Sequence, residues 1–374
     1  MSDTGGGHRA AAEAVRAALT SDADVEILDI LVAAGGVSSG MPALYDWFTA
    51  RPGLWGPLWH AFDRPELAWL LSDPFYAMQS SAFVELINRD SPDLVAVFHP
   101  CCTRGTRRAM AATRHRSALV TVVTDPVTAH TAWFEPDVDR IIVSSETARK
   151  KALASGVSSE RITVLDHPVH PRVYGLAAQR AELRAQVGWS ERIVLITGGG
   201  CGFGVEAAAH AVRSLGARVI VACGRDERVR ARLSRHGIET LGFIADLPER
   251  MCAADLVLTK AGPSTLAECR AVGTPMIITS HIPGQEEGNL DWIQGSGAGE
   301  VAQSLPELTA AVVRWLSDDE RRAELRSAAM RPAFVPVERI AQSFLQTIES
   351  RAHVMSPRLS RPPMSPLGAV APTG

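Results

Sequence analysis

Two features are scarce in this sequence of 374 residues: long apolar runs and an excess of charge of one sign. No apolar run approaches the roughly 20 residues that a membrane-spanning helix needs. Lysine and arginine number 38 against 41 aspartates and glutamates, which excludes a basic field that would attract nucleic acid. The N-terminus also lacks the charged and then apolar segments of a secretion signal. These absences predict a cytoplasmic protein that does not bind nucleic acid.

Cysteine is sparse as well. The six cysteines form no C-x-x-C pair and no cluster with the spacing of a metal site. They predict reduced intracellular thiols rather than a disulfide framework. Hydrophobic residues make up 46% and charged residues 21% of the sequence, which is the composition of a folded chain rather than a disordered one. The length accommodates two domains with a core each.

Short aliphatic runs alternate with stretches rich in Ala, Arg and Glu along most of the sequence. Such alternation indicates α/β domains, in which helices cover both faces of a parallel sheet. The predicted strands cover residues 25–30, 94–98, 118–123, 140–143, 192–196, 218–222, 256–258 and 275–278. They form two series, which predict two doubly wound domains at residues 1–170 and 171–350, joined near residues 167–175. The Pro- and Ser-rich residues 351–374 are predicted to be a disordered tail.

Residues 41–71 concentrate aromatic side chains and contain half of the eight tryptophans in the sequence. Two interpretations are open. Helices of this segment pack on the sheet, or the segment forms an apolar acceptor groove or a membrane-interface patch. Arg51 and Arg64 carry the segment's positive charge, so the expected electrostatic attraction to lipid is modest.

A glycine-rich turn at residues 5–7 leads into the first predicted helix. Such a turn lets backbone N–H groups and the positive end of the helix dipole approach a ligand. His8 lies at the start of this helix, where it faces the crevice and can exchange protons near neutral pH. Residues 5–10 also fit the dinucleotide pattern G-x-G-x-x-A, with Asp29 downstream, but no strand precedes them.

A second glycine loop, at residues 198–204, follows a complete predicted strand. It fits neither G-x-G-x-x-G nor the G-K-[ST] ending of a P-loop. Its backbone N–H groups nevertheless predict a cradle for a phosphate or diphosphate.

Two polar motifs follow in the second half. Glu268 lies one turn into a helix that begins after the turn at residues 260–263, where a carboxylate can accept hydrogen bonds from ribose hydroxyls. After the next strand, a Pro-Gly turn precedes Gln285, Glu286 and Asn289. This cluster offers both donors and acceptors, as recognition of a hydroxyl-rich ligand requires.

Several segments together resemble a known family. They are residues 2–9, 92–100, 121–134, 198–200, 223–225, 242–243, 260–263 and 283–286. They are similar to the monogalactosyldiacylglycerol synthase and processive diacylglycerol glucosyltransferase family of inverting glycosyltransferases, related to the bacterial lipid II GlcNAc transferase. The resemblance covers roughly residues 1–320. It implies the GT-B fold, two Rossmann-like domains facing a cleft, with the donor in the C-terminal domain and residues 337–348 crossing back to the first.

The resemblance also implies roles for individual residues. Donor-binding positions would be Gly198, Gly199, Gly200, Gly202, Arg225, Gly242, Phe243, Lys260, Gly262, Pro263, Ser264, Thr265, Glu268, Gln285, Glu286 and Asn289. Of these, the glycine loop would hold the diphosphate, and Gln285 with Glu286 would read the sugar. His8 would lie at the reacting centre, with Asp125 as the alternative catalytic residue. The acceptor side would comprise Gly6, Gly7, His99 and Trp133.

The sequence departs from the family pattern in three places. No strand precedes the first glycine loop, so we expect the start at Met1 to omit the first strand of the domain. Ser264 stands where the family has glycine. Asp166 and His167 replace a Gly-Leu pair at the interdomain edge.

We therefore expect an inverting hexosyltransferase that moves a hexose from a UDP-sugar to a lipid hydroxyl, above all that of diacylglycerol, in glycolipid biosynthesis. His8 would remove the acceptor proton. No cofactor and no metal are expected, because the D-x-D motif at residues 137–139 precedes a strand and is interpreted as a turn. A lipid acceptor implies peripheral contact with the inner face of the membrane.

Other functions remain open at this point. The same donor chemistry suits a polyprenyl-lipid or natural-product acceptor, and a UDP-sugar 2-epimerase has the same fold. The interpretation as a nicotinamide-dependent dehydrogenase depends on the pattern at residues 5–10 alone. A sugar-nucleotide sensor would bind UDP without turnover. Galactose and glucose, which differ in one hydroxyl, both fit the motifs.

Overall fold

The structure, a computed structural model, describes residues 1, 6–19, 22–30, 41–49, 51–64, 66–113, 115–199, 204–330 and 334–355. They form two α/β domains, each with one parallel sheet. The two series of alternating strands and helices predict this architecture. None of the described helices is both long and apolar enough to span a bilayer.

The N-terminal domain contains a four-stranded parallel sheet. Its strands, in both chain and spatial order, are β1 (Leu94–Val97), β2 (Ala118–Val122), β3 (Arg140–Val143) and β4 (Ile162–Val164). Leu119 and Val120 of β2 point into different apolar clusters, so both faces of the sheet are covered. The helices of this half are α1 (Gly7–Leu19), α2 (Met41–Thr49), α3 (Pro52–Phe62), α4 (Ala68–Asp90), α5 (Pro100–Ala112) and α6 (Glu146–Ala154).

The C-terminal domain contains a six-stranded parallel sheet in the order β10-β9-β8-β5-β6-β7. The strands are β5 (Ile193–Thr197), β6 (Arg218–Ala222), β7 (Glu239–Leu241), β8 (Leu256–Lys260), β9 (Met276–Ser280) and β10 (Gly299–Val301). The helices are α7 (Arg180–Gln186), α8 (Val205–Arg213), α9 (Glu227–Arg235), α10 (Leu247–Ala253), α11 (Pro263–Ala271), α12 (Glu287–Ser296), α13 (Leu305–Ser317) and α14 (Asp319–Ala329). Leu195 and Ile196 of β5 pack into separate clusters on opposite faces.

The strand order reverses between β5 and β8. From β5 the chain builds β6 and β7 on one side, then returns to build β8, β9 and β10 on the other. Loops diverge at such a switch point and leave a crevice beyond the carboxyl ends of the strands. The loops after β5 and β8, which carry the second glycine loop and the turn before Glu268, therefore meet at one edge of the sheet.

The last described helix, α15 (Glu338–Met355), returns to the N-terminal domain as predicted. Ile340 and Phe344 join the apolar cluster that contains Val120 of β2. Arg351 forms an ion pair with Asp139. Residues 351–355 are therefore helical rather than part of the predicted tail, because this helix continues along the first domain. Residues 356–374 lie outside the described part of the chain.

The chain crosses between the domains around residues 165–169. Leu165 packs against the N-terminal cluster, whereas Val169 belongs to the C-terminal core. The Asp166 carboxylate accepts a hydrogen bond of 2.6 Å from the Val335 N–H. The two crossing segments, before β5 and before α15, are thus linked to each other.

The strand predictions fail in two respects. Residues 25–30 form no strand, although the Met1 ammonium donates to the Leu28 carbonyl and the Ile30 N–H donates to the Met1 carbonyl. The short strands β4, β7 and β10 are not predicted. Each has three residues and lies at a sheet edge, where pairing on one side leaves little apolar pattern in the sequence.

Candidate active site

A cleft of about 790 Å³ separates the two domains and is lined by both. The N-terminal domain contributes the start of α1, Thr124 and Asp125 after β2, and Tyr45 of α2. The C-terminal domain contributes the loops beyond β5, β6, β8 and β9. The size suits a ligand as large as a nucleotide sugar.

Three helices begin at the cleft wall: α1, α8 and α11. Gly6 precedes α1 with φ of 83°, and Gly204 precedes α8 with φ of 74°. Glycine adopts this left-handed conformation without the steric cost of a Cβ atom. The N–H groups and the positive dipole ends at the starts of these helices favour an anion in the cleft.

His8 and Asp125 both belong to a buried cluster at the N-terminal side of the cleft. His8 is 8% exposed, and its Nδ1 lies 2.8 Å from Oγ1 of Thr124. Its ring contacts His99 edge to face, with 4.7 Å between the ring centroids. Asp125 is 4% exposed and accepts a 2.7 Å hydrogen bond from Nε1 of Trp133. Both side chains are therefore held in fixed orientations.

Burial, with a smaller contribution from the nearby Glu286, raises the pKa of the Asp125 carboxyl to about 6. Hydrogen bonds from Trp133 and Gln285 act in the opposite direction. A carboxyl group with such a pKa changes protonation state near neutral pH, as a proton acceptor in catalysis requires. Burial and the neighbouring His8 hold the pKa of His99 well below its usual range.

The predicted sugar-reading residues lie opposite, on the loop between β9 and α12. Glu286 is 3% exposed and forms an ion pair with Lys260. Its other oxygen accepts a 2.9 Å hydrogen bond from the Ile282 N–H. This ion pair joins Lys260, at the end of β8, to the loop that follows β9. A cation thus lies at the wall of the cleft, beside the start of α11.

The far end of the cleft combines an aromatic ring with charged groups. Phe243 is 65% exposed, and the Arg225 guanidinium lies 4.7 Å from the centroid of its ring. Glu268 lines the same cleft, and burial raises the pKa of its carboxyl to about 7, with Arg172 acting to lower it and Glu249 to raise it. The cleft thus offers an exposed ring and a carboxylate, which match the needs of a base and a ribose.

The cleft brings together most of the predicted site residues. The predicted residues that line it are Gly6, Gly7, His8, Asp125, Gly198, Gly199, Arg225, Gly242, Phe243, Lys260, Gly262, Pro263, Ser264, Thr265, Glu268, Gln285 and Glu286. Gly200 and Gly202 lie outside the described residues.

Three predicted site residues do not line the cleft. Trp133 is fully buried and His99 is 7% exposed, and both lie behind His8 and Asp125 instead of facing an acceptor. Asn289 is 1% exposed, and its Nδ2 donates to the Ala261 carbonyl at 2.9 Å. Its amide supports the turn after β8.

Two departures from the family pattern contact each other. His167 is buried, and its Nε2 lies 3.1 Å from Oγ of Ser264. A Cβ atom at Gly7 would lie 3.3 Å from the same Ser264 oxygen. The serine hydroxyl therefore lies close to the start of α1, and His167 is its hydrogen-bond partner.

Sequence reasoning missed several residues that line the cleft. Thr124, the partner of His8, lies next to Asp125 in a segment that the sequence analysis had singled out. Tyr45 belongs to the aromatic segment but was given no role. Arg172 gave no signal in the sequence, because its place near Glu268 depends on the interdomain crossing.

No cluster of three or more His, Cys, Asp or Glu side chains suited to a metal ion occurs within the described ranges. In the D-x-D motif, Asp137 lies in a turn, and Asp139, directly before β3, pairs with Arg351 away from the cleft. Asp139 also accepts a 2.8 Å hydrogen bond from the Leu119 N–H.

Two family models match the chain, one for each domain. The model described as monogalactosyldiacylglycerol (MGDG) synthase matches residues 8–169. The model of the glycosyltransferase family 28 C-terminal domain matches residues 193–290. Together they span both walls of the cleft.

Curated plant proteins are similar over most of the chain. Monogalactosyldiacylglycerol synthase 1, chloroplastic, of Arabidopsis thaliana is 30% identical over 354 residues, which is 87% of this chain and 66% of that protein. Probable monogalactosyldiacylglycerol synthase 2, chloroplastic, of Oryza sativa subsp. japonica is 33% identical over 349 residues, which is 85% of this chain and 72% of that protein. The chain thus spans about two thirds of the length of these relatives.

Solved structures share the architecture at low sequence identity. HepE of Anabaena in complex with UDP-glucose gives a TM-score of 0.54 at 17% identity, covering 73% of this chain and 82% of that one. MurG of Acinetobacter baumannii gives 0.54 at 16% identity, covering 73% and 79%. These likenesses show the two-domain GT-B fold that the sequence predicted. With the family models and the plant relatives, they establish that this chain belongs to the monogalactosyldiacylglycerol synthase family of glycosyltransferases.

Proposed function

We propose that this protein is an inverting hexosyltransferase that transfers a hexose from a UDP-sugar to the free hydroxyl of diacylglycerol. The observation that carries the proposal is the composition of the cleft. Helix N-termini and Lys260 lie on its C-terminal wall, opposite the His8 and Asp125 pair on its N-terminal wall. One wall suits an anionic leaving group and the other a proton acceptor.

The C-terminal wall would hold the donor. The N–H groups at the starts of α8 and α11 favour the diphosphate, together with Lys260 and Arg225. Phe243 and Gly242 would contact the uracil, and Glu268 would accept hydrogen bonds from the ribose. The hexose would then extend toward Gln285 and Glu286, and so toward the N-terminal wall.

Transfer requires one bond to form as another breaks. The acceptor oxygen attacks the anomeric carbon from the face opposite the diphosphate, which inverts the configuration. The bond from that carbon to the phosphate oxygen breaks, and its electron pair leaves with UDP. His8 takes the hydroxyl proton, and Asp125 is the alternative base. Preorganised donors around the diphosphate stabilise the charge that develops there, each worth about 3 kcal/mol when well placed.

The acceptor would reach the cleft from a lipid surface. Leu44, Trp47 and Leu54 on α2 and α3 are large, apolar and exposed. Arg51 stacks on Trp47 at 3.9 Å from the ring centroid, which adds a cation beside an aromatic ring. This surface suits shallow insertion at the membrane interface. The protein would thus act in the cytoplasm as a peripheral protein of the inner membrane face.

A UDP-release assay over a panel of donors and acceptors tests the proposed reaction. We expect release with UDP-galactose or UDP-glucose only when diacylglycerol is present in mixed micelles. Polyprenyl phosphate and small phenolic acceptors provide the comparison. Release with those acceptors alone would assign a different acceptor class, and conversion of the donor sugar without any acceptor would assign an epimerase.

Liposome flotation tests the membrane surface separately. Leu54→Asp introduces a charge into the exposed patch, and Val313→Asp introduces the same charge at an equally exposed site on α13. We expect the wild type and Val313→Asp to float with the liposomes and Leu54→Asp to remain at the bottom. Equal flotation of both variants would contradict the placement of the membrane surface.

A further inference from the structure

The turn that carries Gln285 belongs to the C-terminal domain but lies against the aromatic helices of the N-terminal domain. A Cβ atom at Gly284 would lie 2.5 Å from Cδ1 of Trp59. A Cβ atom at Gly56 would lie 3.0 Å from Cβ of Pro283. The two surfaces therefore meet without space for a side chain, and only glycine at these positions allows the approach.

Two hydrogen bonds fix Gln285 within this contact, and both come from the N-terminal domain. The Tyr45 hydroxyl donates to Oε1 of Gln285 at 2.9 Å. The Thr128 hydroxyl donates to the Gln285 backbone carbonyl at 2.6 Å. Tyr45 holds the side-chain amide of Gln285 and Thr128 holds its backbone carbonyl, so the residue is fixed at both ends of its side chain.

The hydrogen-bond partner of Gln285 Oε1 determines the direction in which the NH₂ group of the same amide points. A glutamine side chain presents an acceptor oxygen and a donor NH₂ group in opposite directions, and its orientation follows its hydrogen bonds. With Oε1 engaged by the Tyr45 hydroxyl, the NH₂ group is directed at acceptors. One of these is the Asp125 carboxyl, whose pKa the Gln285 side chain lowers. Both Tyr45 and Gln285 line the cleft.

We propose that Tyr45 is a positioning residue for the donor hexose: its hydroxyl fixes the Gln285 amide with the NH₂ group toward the cleft, where it donates to a sugar hydroxyl. This inference depends on the proposed hexosyltransferase function and adds a specific residue to it. Recognition of the sugar by the C-terminal domain then depends on α2 of the N-terminal domain, which carries Tyr45. This helix and α3 also carry the exposed apolar surface, which places sugar recognition and lipid contact on one structural unit.

Tyr45→Phe removes the hydroxyl alone. The ring remains in its edge-to-face contact with Trp55, at 5.5 Å between centroids, so the variant retains its apolar packing. Tyr174→Phe is the matched control, because its hydroxyl accepts a 3.0 Å hydrogen bond from the Val337 N–H and does not line the cleft. Each variant removes the hydroxyl of a half-buried tyrosine near the domain interface.

Binding is measured by calorimetry with UDP, UDP-galactose and UDP-glucose, without an acceptor. We expect Tyr45→Phe to leave the Kd of UDP within twofold of wild type and to weaken the better UDP-hexose about fivefold, the effect of one neutral hydrogen bond. Tyr174→Phe should change neither Kd. In a Gln285→Ala background, Tyr45→Phe should have no further effect on the Kd of the UDP-hexose.

Three results would overturn the inference alone: an unchanged Kd of the UDP-hexose in Tyr45→Phe, an equal loss for UDP, or an additive loss in the Gln285→Ala background. A merely structural role for Tyr45 produces one of the last two. A wild type that binds no uridine nucleotide would instead contradict the proposed function, and this inference with it.

Discussion

The proposed contact between Glu268 and the ribose predicts that donor binding depends on pH. Burial raises the pKa of its carboxyl to about 7, so about half of the molecules carry a protonated Glu268 at pH 7. A ribose that donates two hydroxyl protons needs both carboxylate oxygens as acceptors, and protonation converts one of them into a donor. The affinity for a UDP-sugar should therefore follow the ionised fraction.

The expected change in Kd with pH follows from that pKa. The ionised fraction is about 0.9 at pH 8 and about 0.1 at pH 6, so the Kd should rise roughly tenfold between them. UDP-glucose is the right ligand for calorimetry, because its diphosphate is esterified at both ends and does not titrate in this range. Glu268→Gln removes the titrating group and keeps the shape of the side chain.

The variant should bind weakly at every pH, with most of the difference between pH 6 and pH 8 abolished. Asp125, whose pKa is raised to about 6, is present in both proteins and contributes equally to both profiles. A flat profile for the wild type, or the same slope in Glu268→Gln, would refute a ribose contact at this residue.

Four further experiments address other parts of the molecule. His8→Ala should lower kcat at least a hundredfold with little change in the Kd of UDP, measured by UDP release and calorimetry; an unchanged kcat would transfer the role of base to Asp125. Transfer should persist in EDTA, because helix N-termini and Lys260 supply the positive charge; loss of activity restored by a divalent cation would contradict this. Gly284→Ala should lower the melting temperature and the affinity for UDP-hexose, because the new Cβ clashes with the Trp59 ring and φ is 77°. Burial lowers the pKa of His167 to about 4, so the unfolded chain binds more protons below pH 6.5, and acid should cost roughly 3 kcal/mol of stability by pH 4. Urea unfolding of wild type and His167→Asn across this range measures that loss, and identical pH slopes would contradict it.

Much of the site was predictable because loops at the carboxyl ends of parallel strands converge. Gly198, Lys260 and Gln285 each follow a predicted strand, and the structure places all three on one cleft. The residues behind the cleft were less predictable. Trp133 and Asn289 carry polar groups that suit a ligand, but each hydrogen-bonds to the protein itself. The sequence identifies the hydrogen-bonding groups and does not reveal whether their partner is a ligand or the protein.

The sequence by itself determined the two parallel-sheet domains, the glycine loops and the family, because local periodicity and ordered motifs along the chain encode them. Only the tertiary structure decided which residues of one domain complete the site of the other. The contacts of Tyr45 with Gln285 and of His167 with Ser264 join residues 240 and 97 positions apart in the chain. Such pairs leave no local pattern, since they arise from the packing of two separately folded sheets across a cleft.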